Sequence, residues 1–212
     1  MPESAHSAIR GIVFDLDGTL YVSKPFAVAI HDEAAGYIAS LKGISVEEAQ
    51  LLMTAARARL VETHGITPTL SSVCTELGGN IRNLHAIFAA QLRPESYLLR
   101  DERVIALLER LAQRFELSLY TNNNRALTTR IIAYLGLEGF FRDIFAIDDT
   151  WLAKPDEGML GQVLGRLGLA PAEALFVGDR YDVDLRLPEQ RGCPVYLSQS
   201  VEQLLRLEDL LN

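Results

Sequence analysis

Five short apolar runs, at residues 11–15, 117–121, 144–148, 174–179 and 194–197, constrain this chain more than anything else in it. Each is too short for a helix and lacks the polar alternation of a strand with one wet face. Each therefore reads as a strand buried on both faces of a parallel sheet. Parallel neighbours need a crossover between them, and the intervals carry helix signals. Val104, Leu107, Leu108 and Leu111 recur at helical spacing behind Asp101 as N-cap. Leu127, Ile131 and Leu135 do the same after Asn124 and stop at Gly136, and a stripe of Met159, Leu160, Val163, Leu164 and Leu167 stops at Gly168. The alternation predicts an α/β domain built on a doubly wound, mainly parallel, Rossmann-like sheet.

Residues 22–97 break that rhythm with helix signals and no buried strand. Ser45-Val46-Glu47-Glu48 reads as a capping box, followed by Ala49, Leu52, Met53, Ala56 and Leu60 on one helical face and by Gly65 just past the end. Further helix-like stretches cover 27–41, 70–77 and 81–92. The expected organisation is an all-helical cap, 22–97, inserted into a catalytic core made of 1–21 and 98–212. Near the C-terminus Val201, Leu204, Leu205 and Leu211 predict a helical face packed on the core, with Glu208 interrupting the stripe.

Composition excludes several classes. With 49% apolar residues in 212, an ordinary core is expected rather than disorder. A net charge of -8 argues against a nucleic-acid polymer as partner, because such binding rests on basic groups that neutralise phosphates. No apolar run approaches the roughly 18 residues of a membrane span, and Met1 to His6 lacks the basic start and apolar region of a signal peptide. A cytoplasmic protein without a membrane partner is expected. Cys74 and Cys193 are far apart and in no metal-finger spacing, so they read as small buried hydrophobes in a reducing compartment.

Open parallel sheets bind ligands beyond the carboxyl ends of their strands, so the residues directly after each run carry the chemistry. These are Asp15 and Asp17; Thr121 and Asn122; Asp148 and Asp149, with Lys154 following; and Gly178-Asp179, with Asp182 and Asp184. Asp15-x-Asp17-x-Thr19, Thr121, Lys154-Pro155 and Gly178-Asp179 with Asp184 resemble the four ordered motifs of the haloacid dehalogenase (HAD) superfamily of aspartate-nucleophile phosphatases. The resemblance covers residues 8–20 and 98–200, and 22–97 take the place of the family's helical cap.

That resemblance implies a phosphomonoester hydrolase for a small phosphorylated metabolite, working through an aspartyl-phosphate. The residue chemistry agrees. A carboxylate such as Asp15 can attack phosphorus, and a second one, Asp17, can protonate the leaving alcohol and then activate water. A dianion approaching an acidic cluster needs a cation, and Mg2+ is the hard ion that prefers carboxylate and water oxygens. Family analogy places Mg2+ on the Asp15 side chain, the Asp17 backbone carbonyl and Asp179, with Asp184 as a further metal-shell or loop-orienting group. Lys154 would tether Asp15 and a phosphoryl oxygen, while Thr121 and the Asn122 N–H would bind another.

The start of the insert, with "DLDGTLY", Ile30-His31, Tyr37-Ile38 and "GISVEEAQLL", is similar to the pyrimidine 5'-nucleotidase branch, which implies a nucleoside 5'-monophosphate as substrate. A sugar phosphomutase would use the same core, and a receiver-like phosphate-accepting module shares the acidic pocket, Thr and Lys. Of the remaining polar groups, Asp182, Arg125 and Arg180 read as solvated, His31 and His64 as surface or satisfied histidines, and Asn123 as plain loop. Tyr21, at the hinge, is the insert-side residue singled out to touch substrate. Leu185-Arg186-Leu187-Pro188 departs from the small-residue stretch usual in the family.

Overall fold

In the computed structural model, which describes residues 9–211, the five runs form one wholly parallel sheet of order β3-β2-β1-β4-β5. The strands are β1 (Gly11–Phe14), β2 (Glu116–Tyr120), β3 (Asp143–Phe145), β4 (Ala174–Gly178) and β5 (Val195–Leu197). Residues 1–8 and Asn212 lie outside the described part, and with them the Met1 to His6 segment.

Side chains alternate across the sheet as the two-residue period requires. Ile12 and Phe14 of β1 enter one apolar layer with Leu107 and Leu108 of α5 (Glu102–Ala112) and Leu127 and Ile131 of α6 (Arg125–Leu135). Val13 points the other way, into a layer with Met159, Leu160 and Val163 of α7 (Glu157–Leu167). Chain order runs outward from β1 to β2 and β3 on one side and from β4 to β5 on the other. The crevice at that reversal, beyond the carboxyl ends of β1 and β4, is where such sheets place ligands.

Between β1 and α5 the chain forms four helices: α1 (Lys24–Lys42), α2 (Val46–His64), α3 (Leu70–Glu76) and α4 (Ile81–Gln91). Ser23 caps α1 by accepting from Phe26 N at 3.2 Å. Ser45 and Glu48 close the capping box, with Glu48 N donating to Ser45 Oγ at 3.2 Å and Ser45 N to Glu48 Oε2 at 2.9 Å. α1 is the axis of the insert and packs on α2, α3 and α4. The insert leans on the core through α4: Asn124 Nδ2 donates to His85 O at 3.0 Å, and Arg130 donates to Ala89 O and Leu92 O at 2.9 and 2.7 Å.

Four details differ from the sequence expectation. β3 ends at Phe145, and Ile147–Asp149 form a 3-10 turn because Asp149 N returns to Ala146 O. On α2 only Ala49, Met53 and Ala56 are buried while Leu52 is exposed, since an outer helix presents a narrower stripe than the sequence suggested. The C-terminal stripe is two short helices, α9 (Val201–Leu204) and α10 (Leu207–Leu211), and Glu208 is used by Arg110 of α5 at 2.8 Å. Pro188 stands inside α8 (Arg186–Gln190), which continues directly from the helical turn at Tyr181–Leu185. Cys74 and Cys193 are free and buried. Among the described residues no helix is long and apolar enough to cross a membrane.

Phe14 is fully buried between the sheet and the insert-side layer, whereas Leu51 is 71% exposed. Phe14→Ala is expected to cost about 3–5 kcal/mol in urea unfolding, and Leu51→Ala to stay within about 0.5 kcal/mol.

Candidate active site

The strand ends converge on a buried ammonium. Lys154 Nζ lies 2.6 Å from Asp15 Oδ1, 2.7 Å from Asp184 Oδ1 and 2.8 Å from Tyr120 O, and the residue is 3% exposed. Its loop is held by Asn122, whose Oδ1 accepts from Lys154 N at 2.7 Å and whose Nδ2 donates to Lys154 O at 3.4 Å. Asp15 is also buried, and Thr19 Oγ1 donates to its Oδ2 at 3.2 Å. The Thr121 hydroxyl accepts from Asn123 N at 3.1 Å, which shapes the turn after β2.

Asp17 is turned to other partners. The Tyr21 hydroxyl donates to its Oδ1, and Asn123 Nδ2 donates to its Oδ2 at 2.6 Å. The backbone brings Tyr21 round by a tight turn in which Gly18 N donates to Tyr21 O at 2.9 Å. Asp184 lies in a single π-helical turn, Tyr181–Leu185, and its Oδ2 accepts from Arg180 N at 3.1 Å.

Asp15, Asp179 and Asp184 each offer an oxygen, all within 4.8 Å of one another. Asp179 Oδ1 is buried and finds no hydrogen-bond donor among the described residues, with Arg180 Nε 3.7 Å away. An all-oxygen carboxylate set with an orphaned buried oxygen fits a hard divalent cation. Two glycines let the loops approach this closely. A Cβ on Gly18, whose φ is +88°, would stand 2.4 Å from Asp179 Oδ2, and one on Gly178 would stand 2.4 Å from Asp184 Cβ.

Four carboxylates thus face two cations, and proton affinities rise accordingly. Burial pushes the Asp15 carboxyl up to about 7 against the pull of Lys154, with Asp184, Asp17 and Asp179 adding to the rise. Burial likewise raises Asp179 to about 6, opposed by Arg180. Burial raises Asp17 too, partly offset by the hydrogen bonds from Tyr21 and Asn123. Burial works against the charge on Lys154, but Asp15 and Asp184 outweigh it and hold the ammonium protonated. Burial and the Asp17 charge hold the Tyr21 phenol well above its ordinary range, so it remains a donor.

Asp148 and Asp149 do not join the cluster. Asp148 accepts from Arg125 N at 2.9 Å and Asp149 pairs with the Arg125 guanidinium at 2.7 Å, so both serve the start of α6. Asp182 is 3.7 Å from Arg186, and His31 and His64 are exposed. Arg180 is exposed, as expected, with Nε 3.7 Å from Asp179 Oδ1 and 3.9 Å from Asp184 Oδ2.

Asn123 and His85 escaped the sequence reading, and Thr19, part of the first motif, carried no role in it. Asn123 stands two residues after Thr121, where a strand-end turn brings the next side chain back toward the site. Thr19 is four residues from Asp15 and reaches it across one turn. His85, of α4, is 3% exposed, with Nε2 3.2 Å from Ser71 Oγ and its ring against Phe88 and Trp151 at 5.4 and 6.2 Å. Burial lowers it to about 4, so it is neutral near pH 7.

The chain matches the haloacid dehalogenase-like hydrolase family over residues 9–189. Phosphoglycolate phosphatases from Pectobacterium atrosepticum and Shigella boydii are 30% and 29% identical to it, in alignments that cover 88% of this chain and 79% of each relative. Two solved structures share its fold. A HAD phosphatase from Thermococcus onnurineus superposes with a TM-score of 0.67 at 19% identity, covering 96% of this chain and 98% of the other. A 2-haloacid dehalogenase from Pseudomonas syringae gives 0.62 at 20%, with the same coverages. The chain belongs to the haloacid dehalogenase-like hydrolases. Within them it is an enzyme of the phosphatase kind, a hydrolase of phosphoric monoesters.

In the metal-free protein the raised carboxyls bind more protons folded than unfolded, so their contribution to stability is lost as pH rises through about 6 to 7. With chelator present, the urea midpoint is expected to rise as pH falls from about 8 to about 6.5. Below that, His85, which must stay neutral when folded, opposes the trend. Asp15→Asn should remove most of the rise, and a flat profile in the natural protein would contradict it.

Proposed function

We propose that the chain hydrolyses small phosphomonoesters through a phosphoaspartyl intermediate on Asp15, with Mg2+ held by Asp15, Asp179, Asp184 and the Asp17 backbone carbonyl. The observation that carries this reading is the division of labour between the carboxylates. Asp15 faces Lys154 and the acidic cluster, while Asp17 is held apart by Tyr21 and Asn123. When bound, Mg2+ would supply positive charge that lets a dianion enter and polarises its oxygens.

In the first step Asp15 forms the new P–O bond as the ester P–O bond breaks, and Asp17 gives a proton to the departing alkoxide. Lys154 neutralises charge on Asp15 and on a phosphoryl oxygen, and Thr121 with the Asn122 N–H steadies another. In the second step water attacks phosphorus, Asp17 takes its proton, and Asp15 is released. A halide departs without a proton, so a dedicated proton donor at Asp17 favours phosphoryl chemistry over dehalogenation on this shared fold.

The leaving group would occupy a 310 Å3 cleft bounded by Asp17, Asp179 and Arg180 below and by Lys24, Ala27 and Ile30 of α1 above. Lys24 and Arg180 share this cleft with Asp17 and Asp179 beside a short apolar wall, and a small leaving group with its own negative charge, as in phosphoglycolate, would find a cation there. The cleft's aromatic residues, Tyr21 and Phe26, are both buried and offer no stacking face for a nucleobase, so a nucleoside monophosphate fits it less well. Residues 22–97 would act as a cap that excludes water over the 98–212 part of the core. The reading places the enzyme in the cytoplasm, acting on a free metabolite.

Phosphate release from a panel of 2-phosphoglycolate, sugar phosphates and nucleoside monophosphates tests this, with Mg2+ and with chelator, for the natural protein beside Asp15→Asn. Release is expected to need Mg2+ and to fall at least about 10³-fold in the variant. An isomerised sugar phosphate would point to the mutase instead, and a long-lived phosphoprotein without turnover to a receiver-like module.

A further inference from the structure

We infer that Tyr21 is a positioning residue for the proton transfer made by Asp17, and that it ties that transfer to the hinge of the insert. The inference rests on the phosphatase reading above. It begins with the hydrogen-bond inventory around Asp17. Asn123 Nδ2 can only donate, so Oδ2 of Asp17 is committed as an acceptor. The Tyr21 hydroxyl donates to Oδ1, so each oxygen of Asp17 accepts one neutral donor and keeps a lone pair on which the transferred proton can reside. With both oxygens held, the carboxyl plane has no freedom to rotate away from the leaving oxygen.

Tyr21 is in turn fixed by both chain segments that join insert to core. It is 7% exposed, its ring centroid is 6.3 Å from that of Phe26 at the start of α1, and Phe26 is 5.8 Å from Tyr97 on the returning segment. Ser23 Oγ, which caps α1, also donates to Tyr97 O at 3.0 Å, closing the two segments on each other. The hydroxyl that orients Asp17 therefore belongs to the hinge rather than to the sheet. Among the described residues none of these groups hydrogen-bonds to Lys154 or to Asp179.

The step concerned balances without any outside reagent. The proton on Asp17 passes to the leaving oxygen as the ester P–O bond breaks, and Asp17 is reprotonated from the water whose oxygen displaces Asp15 from phosphorus. A poor leaving group such as an alkoxide depends on that proton, and p-nitrophenolate does not. kcat/KM reports steps only as far as leaving-group departure, so the two ester types separate a positioning role from a structural one.

The experiment compares natural protein and Tyr21→Phe, which keeps the ring, on p-nitrophenyl phosphate and on the alkyl ester that leads the substrate panel. Tyr21→Phe is expected to lower kcat/KM for the alkyl ester about 10- to 100-fold and for p-nitrophenyl phosphate less than about 3-fold. Its kcat on p-nitrophenyl phosphate should still fall, because the second step needs Asp17 as base. The Mg2+-induced rise in Tm should match that of the natural protein. On an Asp17→Asn background Tyr21→Phe should change kcat/KM for the alkyl ester less than about 2-fold. An equal loss for both esters, no loss for either, or a full loss on the Asp17→Asn background would each overturn the role. A natural protein inert toward every ester would instead overturn the phosphatase reading, and the role with it.

Discussion

One ammonium group organises the catalytic end of this molecule. An isolated buried charge costs several kcal/mol, and Lys154 is tolerable because two carboxylates and a backbone carbonyl surround it at hydrogen-bond distance. Those three acceptors come from β1, from the turn after β4 and from β2, and the lysine itself comes from the segment after β3. Four pieces of chain far apart in sequence are therefore pinned to one point. Asn122 completes the arrangement by hydrogen-bonding the lysine's own backbone, which ties the end of β2 to the lysine loop.

The same point explains why the acids sort into two groups. Asp15 and Asp184 are drawn to the lysine and, with Asp179, crowd into a volume that carries too much negative charge to be at ease without a cation. Asp17 leaves Asp15 by only two residues yet finds neutral donors, because the turn through Gly18 aims it away from the cluster. Burial alone would make the acids behave alike, and it is the difference in partners that gives Asp15 and Asp17 separate surroundings. The apolar layers on the two faces of the sheet carry the cost of holding such a group of charges in place.

Much of this was legible in the chain. Four of the five apolar runs, the helix caps at Ser45 and Asp101 and the stop at Gly136 follow from local rules that act within a few residues and stand where those rules put them, while the third run leaves its strand at Phe145. Strand ends placed together by a parallel sheet put Asp15, Lys154, Asp179 and Asp184 among a wider set of polar residues, and it was the resemblance to the family's motif spacing that selected them from it. What local rules do not carry is the direction of a side chain after a turn. Asn123 looked like loop, and Asp148 and Asp149 looked like part of the acidic set until Arg125 claimed both. His85 was invisible for a related reason, since its burial is made by α4 meeting Trp151 of the lysine loop, a contact between segments 66 residues apart.

The glycines beside the site bear on how such an enzyme can diversify. At Gly18 and Gly178 any larger residue would drive a carbon to 2.4 Å from an aspartate, so mutation there is closed off by geometry whatever the substrate. Ala27 and Ile30 of α1 meet no such barrier, and they face the cleft from the insert. Lineages descending from a chain like this one have a locked chemical centre and an editable roof. Change in the cleft is therefore open on the side of α1 and closed on the side of the two glycines.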